Sequence, residues 1–348
     1  MSSRLSIALD AMGGDNAPGI VIAGAEIARE RFPHVRFIFY GDERRIKPML
    51  SKLEALSECS EIHHTDVSVT AEDKPGQALR NGRESSMRLA INAVKEGNAS
   101  AIVSAGNTGA LMALAKFVLL TLPGIDRPAI ASFFPTLRSE SVMLDLGANV
   151  SCDSENLVQF ALMGNVFART VLGVNNPTMG LLNVGSEEMK GNDAVREASA
   201  ILKLNKLPGH FLGFIEGHDI TKGTADVIVT DGFSGNVALK AIEGTVKLYS
   251  HFLRQSFKAS LLARIGYLLS RPALRALKYR LDPRRYNGAI LMGLNGVCVK
   301  SHGGTDSFGF ANAISVAIDM VTNGTIEKMQ HDFASLKHPP SASDISND

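Results

Sequence analysis

Three cysteines in 348 residues, Cys59, Cys152 and Cys298, are too few and too scattered to frame the molecule. Their odd number argues against a disulfide network, and no two form a C-x-x-C pair, so reduced and mostly buried thiols are expected. Long apolar runs are missing as well. The longest, 110–122, contains Lys116 and stops at Pro123, short of the roughly 20 residues a membrane span needs. The first ten residues enter a strand-like run with no secretory signal, so a cytoplasmic location is expected. Net charge is only +1, which does not mark a polyanion binder, and no nucleic-acid partner is expected.

Familiar catalytic motifs are also absent. There is no G-x-x-x-x-G-K-[ST] loop, and no Gly-x-Gly occurs anywhere, which removes the usual dinucleotide fingerprint. Residues 232–236 approach the G-x-S-x-G nucleophile elbow but end in Asn236. No H-E-x-x-H or acidic calcium loop appears, so no metal site is expected. What remains favours direct displacement by positioned donors.

What the sequence does have is alternation. Apolar runs at 5–9, 37–40, 61–64, 101–104, 129–134, 141–145, 179–183, 211–216, 227–230 and 296–300 read as strands. Helical periodicity fills 18–31, 43–56, 85–96, 108–121, 155–172, 193–204, a long stretch from about 235, and 307–321. This implies an α/β fold with a mostly parallel sheet covered by helices on both faces. No composition break or repeat divides it, so one α/β domain over 1–337 is expected. The Ser-, Pro- and Asp-rich tail 338–348 is expected to be disordered.

One segment departs from the pattern. Residues 251–286 carry nine Lys and Arg against Asp282 alone, with Leu253, Phe257, Leu261, Ile265 and Leu268/Leu269 at helical spacing. Pro272 suggests two helices joined near 270–273. This basic amphipathic hairpin has three readings: a lipid-facing surface, a dock for an acidic carrier protein, or a dimer helix with a solvated basic rim.

In open parallel sheets, ligands bind beyond the carboxyl ends of strands. Six such ends carry polar glycine turns: 10–18, 104–109, 145–149, 183–192, 230–236 and 300–304. Glycine lets backbone N–H groups approach a ligand, and a helix N-terminus adds donors and partial positive charge. Taken together, the turns point to one shared anion cleft.

At these turns the sequence resembles the phosphate acyltransferases of bacterial phospholipid synthesis. The matching stretches are 8–15, 104–110, 144–149, 182–188 with Lys190-Gly191, 231–236 and 299–303, in order and without a departure. The resemblance implies a Rossmann-like three-layer α/β/α fold and a homodimer that needs no cofactor. It implies acyl transfer from acyl carrier protein to inorganic phosphate, contact with an anionic membrane, and a downstream glycerol-3-phosphate acyltransferase. For that reaction Lys190 and Asn236 are the candidate catalytic side chains. Gly13, Gly14, Gly106, Asn107, Thr108 and Gly109 are candidate phosphate ligands through their turns, and Asn149, Ser234 and His302 complete the set. The bland readings are a solvated lysine, a helix-capping Asn236 and a turn histidine. Asp10, Asp145 and Asp231 would repel phosphate and are expected only to order their loops. Three rivals stay open: a short-chain phosphotransacetylase using acetyl-coenzyme A, a metal- and NAD-dependent decarboxylating dehydrogenase, and a lipid- or nucleotide-binding scaffold.

Overall fold

A computed structural model describes residues 5–204 and 207–337; the expectation for the tail 338–348 lies outside them. The chain runs β1 (Ser6–Asp10), α1 (Gly19–Arg31), β2 (Arg36–Gly41), α2 (Glu43–Leu50), α3 (Glu54–Glu58), β3 (Ser60–His64), α4 (Pro75–Asn81), α5 (Ser86–Lys95), β4 (Ala101–Ser104) and α6 (Thr108–Leu119). It continues with β5 (Ala129–Pro135), β6 (Glu140–Leu144), α7 (Ser154–Thr170), β7 (Thr178–Leu182), α8 (Asp193–Leu204), β8 (His210–Ile215), α9 (Gly217–Lys222) and β9 (Val227–Val229). Last come α10 (Gly232–Lys258), α11 (Leu261–Arg280), β10 (Ala289–Met292), β11 (Val297–Lys300), α12 (Ser307–Thr322) and α13 (Thr325–Lys337).

Among the described residues, eleven strands form one sheet, ordered β3-β2-β1-β4-β11-β10-β5-β6-β9-β7-β8. Strand composition explains its burial on both faces. On β1, Ile7 and Leu9 join a core under α1, α7, α8 and α12, while Ala8 joins the opposite core under α5 and α6. Helix starts are fixed by short polar caps: Ser85 Oγ accepts from Arg88 N, and Asp153 Oδ1 accepts from Asn156 N at 2.8 Å. The expected α7 stripe of Leu157, Phe160, Ala161 and Val166 is buried.

The sheet has a reversal at its centre. The strands β3, β2, β1, β4 and β11 are mutually parallel. The next pairs, β11–β10, β10–β5 and β5–β6, are all antiparallel, and β6, β9, β7 and β8 are then parallel again. Three reversals in a row make the second block run opposite to the first.

Several boundaries differ from the sequence pattern. The stretch 43–56 is two helices, with Pro48 inside α2; a proline there removes a helix donor and shortens the run. The basic segment does not break at Pro272, which lies within α11. It breaks at Ala259, because Ser260 caps α11 by accepting from Ala263 N at 3.1 Å. The apolar spacing did not reveal α4, α9, β10 or α13. No residue of α11 is buried, and α10 buries only Gly232 and Gly235, so the pair stands out from the sheet as a hairpin.

Candidate active site

The turns after β1, β4 and β11 interlock at one edge of the sheet. Asp10 ends β1 almost fully buried. Its carboxylate accepts from Ser104 Oγ and Ser86 Oγ, each at 2.6 Å, and from Met12 N at 3.3 Å. Burial pushes this carboxyl up from its ordinary range, opposed by those hydrogen bonds and by the charge of Lys300. Ser104 Oγ in turn accepts from Gly106 N at 3.0 Å. Gly13 has no alternative here: a Cβ would sit 2.5 Å from Asp10 Oδ2 and 2.7 Å from Gly106 N. Gly14 has φ +98° and would place a Cβ 2.9 Å from Ala105 Cβ and 3.1 Å from Gly303 O. Asp15 N donates to Gly303 O at 3.1 Å, closing the third turn onto the first.

The side chain of Asn107 is spent on structure. Its Oδ1 caps α6 by accepting from Ala110 N at 3.1 Å. Its Nδ2 donates to the carbonyls of Thr70, Ala71 and Asp73. Thr108 and Gly109 form the exposed first turn of α6. Their availability rests on backbone donors at a helix start rather than on side chains. His302 is exposed; its N donates to Asn287 Oδ1 at 2.9 Å and its Nδ1 accepts from Gly304 N at 3.1 Å. These bonds engage its backbone N–H and Nδ1.

Lys300 is the feature the sequence-based set omits. It is only 9% exposed, and its Nζ donates to Ala105 O at 3.3 Å and to Ser301 O. Desolvation lowers its pKa to about 8, while Asp10 and Asp15 pull the other way. A lysine closing the otherwise apolar Val297–Lys300 strand was the available signal.

The turns after β6, β9 and β7 lie elsewhere. Because their strands run opposite to β1, β4 and β11, they emerge at the opposite edge of the sheet. The shared cleft expected from the sequence is therefore two groups of three turns within one chain. Asp145, fully buried, organises the second group: its carboxylate accepts from the N–H groups of Ile130, Gly147, Ala148 and Asn149 and from Asn149 Nδ2. Burial raises its pKa, opposed by these bonds. Asn149 Nδ2 also donates to Pro128 O at 2.8 Å. Asp231 caps α10, accepting from Ser234 N at 2.8 Å and from Ser234 Oγ at 3.0 Å. Asn149 and Ser234 thus hold their turns together.

Asn236 and Lys190 are different. The α10 cap is Asp231, so Asn236 is not the cap. It is exposed beside Gly147, and among the described residues its amide makes no hydrogen bond. Lys190 is exposed in a loop closed by Lys190 N donating to Glu187 O and by Asn183 Nδ2 donating to Lys190 O. Among the described residues its ammonium has no ion-pair partner; the neighbouring Glu188 is taken by Lys203 at 2.8 Å.

A family model described as a fatty acid synthesis protein matches residues 5–328. A phosphate acyltransferase of Rhodospirillum centenum is 64% identical over 337 residues, spanning 97% of this chain and 95% of its own. Another, from Paramagnetospirillum magneticum, is 59% identical over 97% of this chain and 96% of its own. The chain belongs to the phosphate acyltransferase family.

Solved structures agree with this acyltransferase in fold. A phosphotransacetylase from Streptococcus pyogenes superposes with TM-score 0.61 at 16% identity, over 92% of this chain and 95% of its own. One from Staphylococcus aureus gives TM-score 0.59, also at 16% identity, with the same coverage. At such identities the likeness is one of architecture.

The acyltransferase's thiols are poorly suited to nucleophilic attack. Burial together with Asp145 and Asp231 pushes Cys152 up to about 12, and burial raises Cys298 and Cys59. Among the described residues, no three His, Cys, Asp or Glu side chains group to hold a metal ion.

Proposed function

We propose that this acyltransferase moves a long-chain fatty acyl group from an acyl carrier protein thioester to inorganic phosphate, releasing acyl phosphate for phospholipid synthesis. The observation that carries this reading is the interlocked trio of turns after β1, β4 and β11. The Gly13 and Gly106 N–H groups are bonded within the turns, to Asp10 O and Ser104 Oγ, so the donors that support an anion site here are those of Gly14 and of the start of α6. The names of the relatives and the family description support phosphate as acceptor and a fatty acyl donor.

The chemistry needs little more. A phosphate oxygen attacks the thioester carbon and the carbonyl oxygen takes the charge. Collapse breaks the C–S bond and expels a thiolate, whose parent thiol has a pKa of about 8.5. The free ammonium of Lys190 and the unspent amide of Asn236 are the donors for the oxyanion. Since the two groups of turns face opposite edges, the working unit is a homodimer in which the Lys190 and Asn236 turns of one copy meet the β1, β4 and β11 turns of the other.

The α10–α11 hairpin supports peripheral contact with an anionic membrane. Leu261, Leu262 and Leu269 are each more than three-quarters exposed beside a run of Arg and Lys. No helix among the described residues is long and apolar enough to cross a membrane. Acyl phosphate is a reactive mixed anhydride, and handing it at the membrane to a glycerol-3-phosphate acyltransferase would limit hydrolysis.

The test compares donors. Phosphate-dependent thiol release should proceed with palmitoyl-acyl carrier protein and be far weaker with acetyl-coenzyme A. The reverse preference would assign the short-chain phosphotransacetylase reaction, and release from neither would end the proposal.

A further inference from the structure

The β11 turn holds a cation that the reaction outlined above does not use. Lys300 is nine-tenths buried, yet among the described residues no carboxylate lies within ion-pair distance of its Nζ. Two of its three N–H donors go to backbone carbonyls, Ala105 O and Ser301 O. The nearby Asp10 carboxylate is turned to Ser104, Ser86 and Met12 N instead. A buried ammonium held only by carbonyls bears a desolvation cost that a direct counter-anion would relieve. The place for that anion is at hand: the tether to Ala105 O sets Nζ beside the 104–106 turn, onto which Gly13 and Gly14 pack.

We propose that Lys300 is a phosphate-binding residue, its ammonium meeting the acceptor phosphate at the β1, β4 and β11 turns, with Asp10 and Ser104 positioning the turn that tethers it. The inference rests on the proposed function for the identity of the anion. Lys190 then serves the thioester oxygen and Lys300 the nucleophile, two cations with separate tasks.

The charged groups acting on Nζ are Asp10 of β1 and Asp15 of the following turn, and the Ala105 carbonyl just after β4 accepts from it. Phosphate should therefore bind with uptake of one proton once Lys300 has begun to lose its own. With its pKa lowered to about 8, affinity should fall with rising pH above that value, by up to about tenfold per unit.

Inorganic phosphate binding to the full chain, measured by calorimetry between pH 7 and pH 10, provides the test. Lys300→Met should weaken binding roughly 10- to 100-fold, the range of a charged hydrogen bond, and abolish the alkaline decline. In turnover, the variant should raise KM for phosphate and leave KM for the acyl donor unchanged. Unchanged phosphate affinity in Lys300→Met would overturn the proposal, as would pH-independent binding to the wild type, a measurement that needs no variant to fold. Wild-type thiol release with palmitoyl-acyl carrier protein reports on the proposed function separately. Normal wild-type turnover with an unaltered phosphate KM in Lys300→Met would defeat this inference alone.

Discussion

Asparagine at a glycine turn can cap a helix, clamp a loop or meet a ligand, and the difference lies in what surrounds its amide. Asn107 and Asn149 have spent theirs on carbonyls and a buried carboxylate, whereas Asn236 has not. Lys190 is likewise exposed, with no ion-pair partner among the described residues. Lys190→Ala should accordingly leave the fold intact, since no side-chain bond is lost. The rate should fall by roughly 10²-fold, the scale of a missing oxyanion donor. Steady-state kinetics together with a melting curve decides it; a wild-type rate at wild-type stability would return Lys190 to the solvated surface. Sequence reading could find Asn107, Asn149 and Asn236 because glycine turns at strand ends are local patterns. The resemblance set Asn236 apart, but the local pattern held no physical reason for it, because the partners of Asn107 lie 34 to 37 residues away. Lys300 escaped for the same reason: its burial is set by three turns drawn from distant parts of the chain.

At the scale of elements, the α10–α11 hairpin leaves Leu248, Leu261, Leu262 and Leu269 more than half exposed. Its junction at Ala259–Ser260 puts Leu261 and Leu262 at the tip, where no part of the sheet reaches them. Phe257 and Tyr267 meet edge to face at 5.4 Å and hold the two helices together below that tip. Changing Leu261 and Ile265 to Asp should therefore spare the hairpin's own packing. Loss of two apolar side chains worth about 1.5–3 kcal/mol each on burial should weaken binding to anionic vesicles at least tenfold. The reaction in solution should change little. Sedimentation with vesicles reads the first effect, and equal binding by wild type and variant would remove the lipid contact. The amphipathic period made this segment legible, but Pro272 misplaced its joint, because an exposed helix can send an unpaired carbonyl to water. β10 was hidden for another reason: four residues between glycine-containing turns carry too little pattern, although they start the series of sheet reversals.

At the scale of the molecule, strand direction decides what one chain can do alone. A strictly parallel sheet would have delivered all six glycine turns to one edge, as the alternation of strands and helices suggested. The β10–β5–β6 reversal instead sends Lys190 and Asn236 to the edge opposite Gly13, Gly14 and Lys300. If both groups serve one reaction, each site takes three turns from one copy and three from its partner, and a two-fold dimer carries two such sites. The arrangement has a consequence no intramolecular site would share. Mix Lys190→Ala with Lys300→Met, each deficient alone when assayed at low phosphate. In a mixed dimer one site inherits both lesions and the other neither. After random subunit exchange half the dimers are mixed, and activity should return to about a quarter of the wild-type rate. A site built within one chain would be damaged in every copy, and the mixture would stay as slow as its parents. Recovery that rises with the fraction of mixed dimers, resolved by a charge tag on one variant, would tie the restored sites to the pairing of chains.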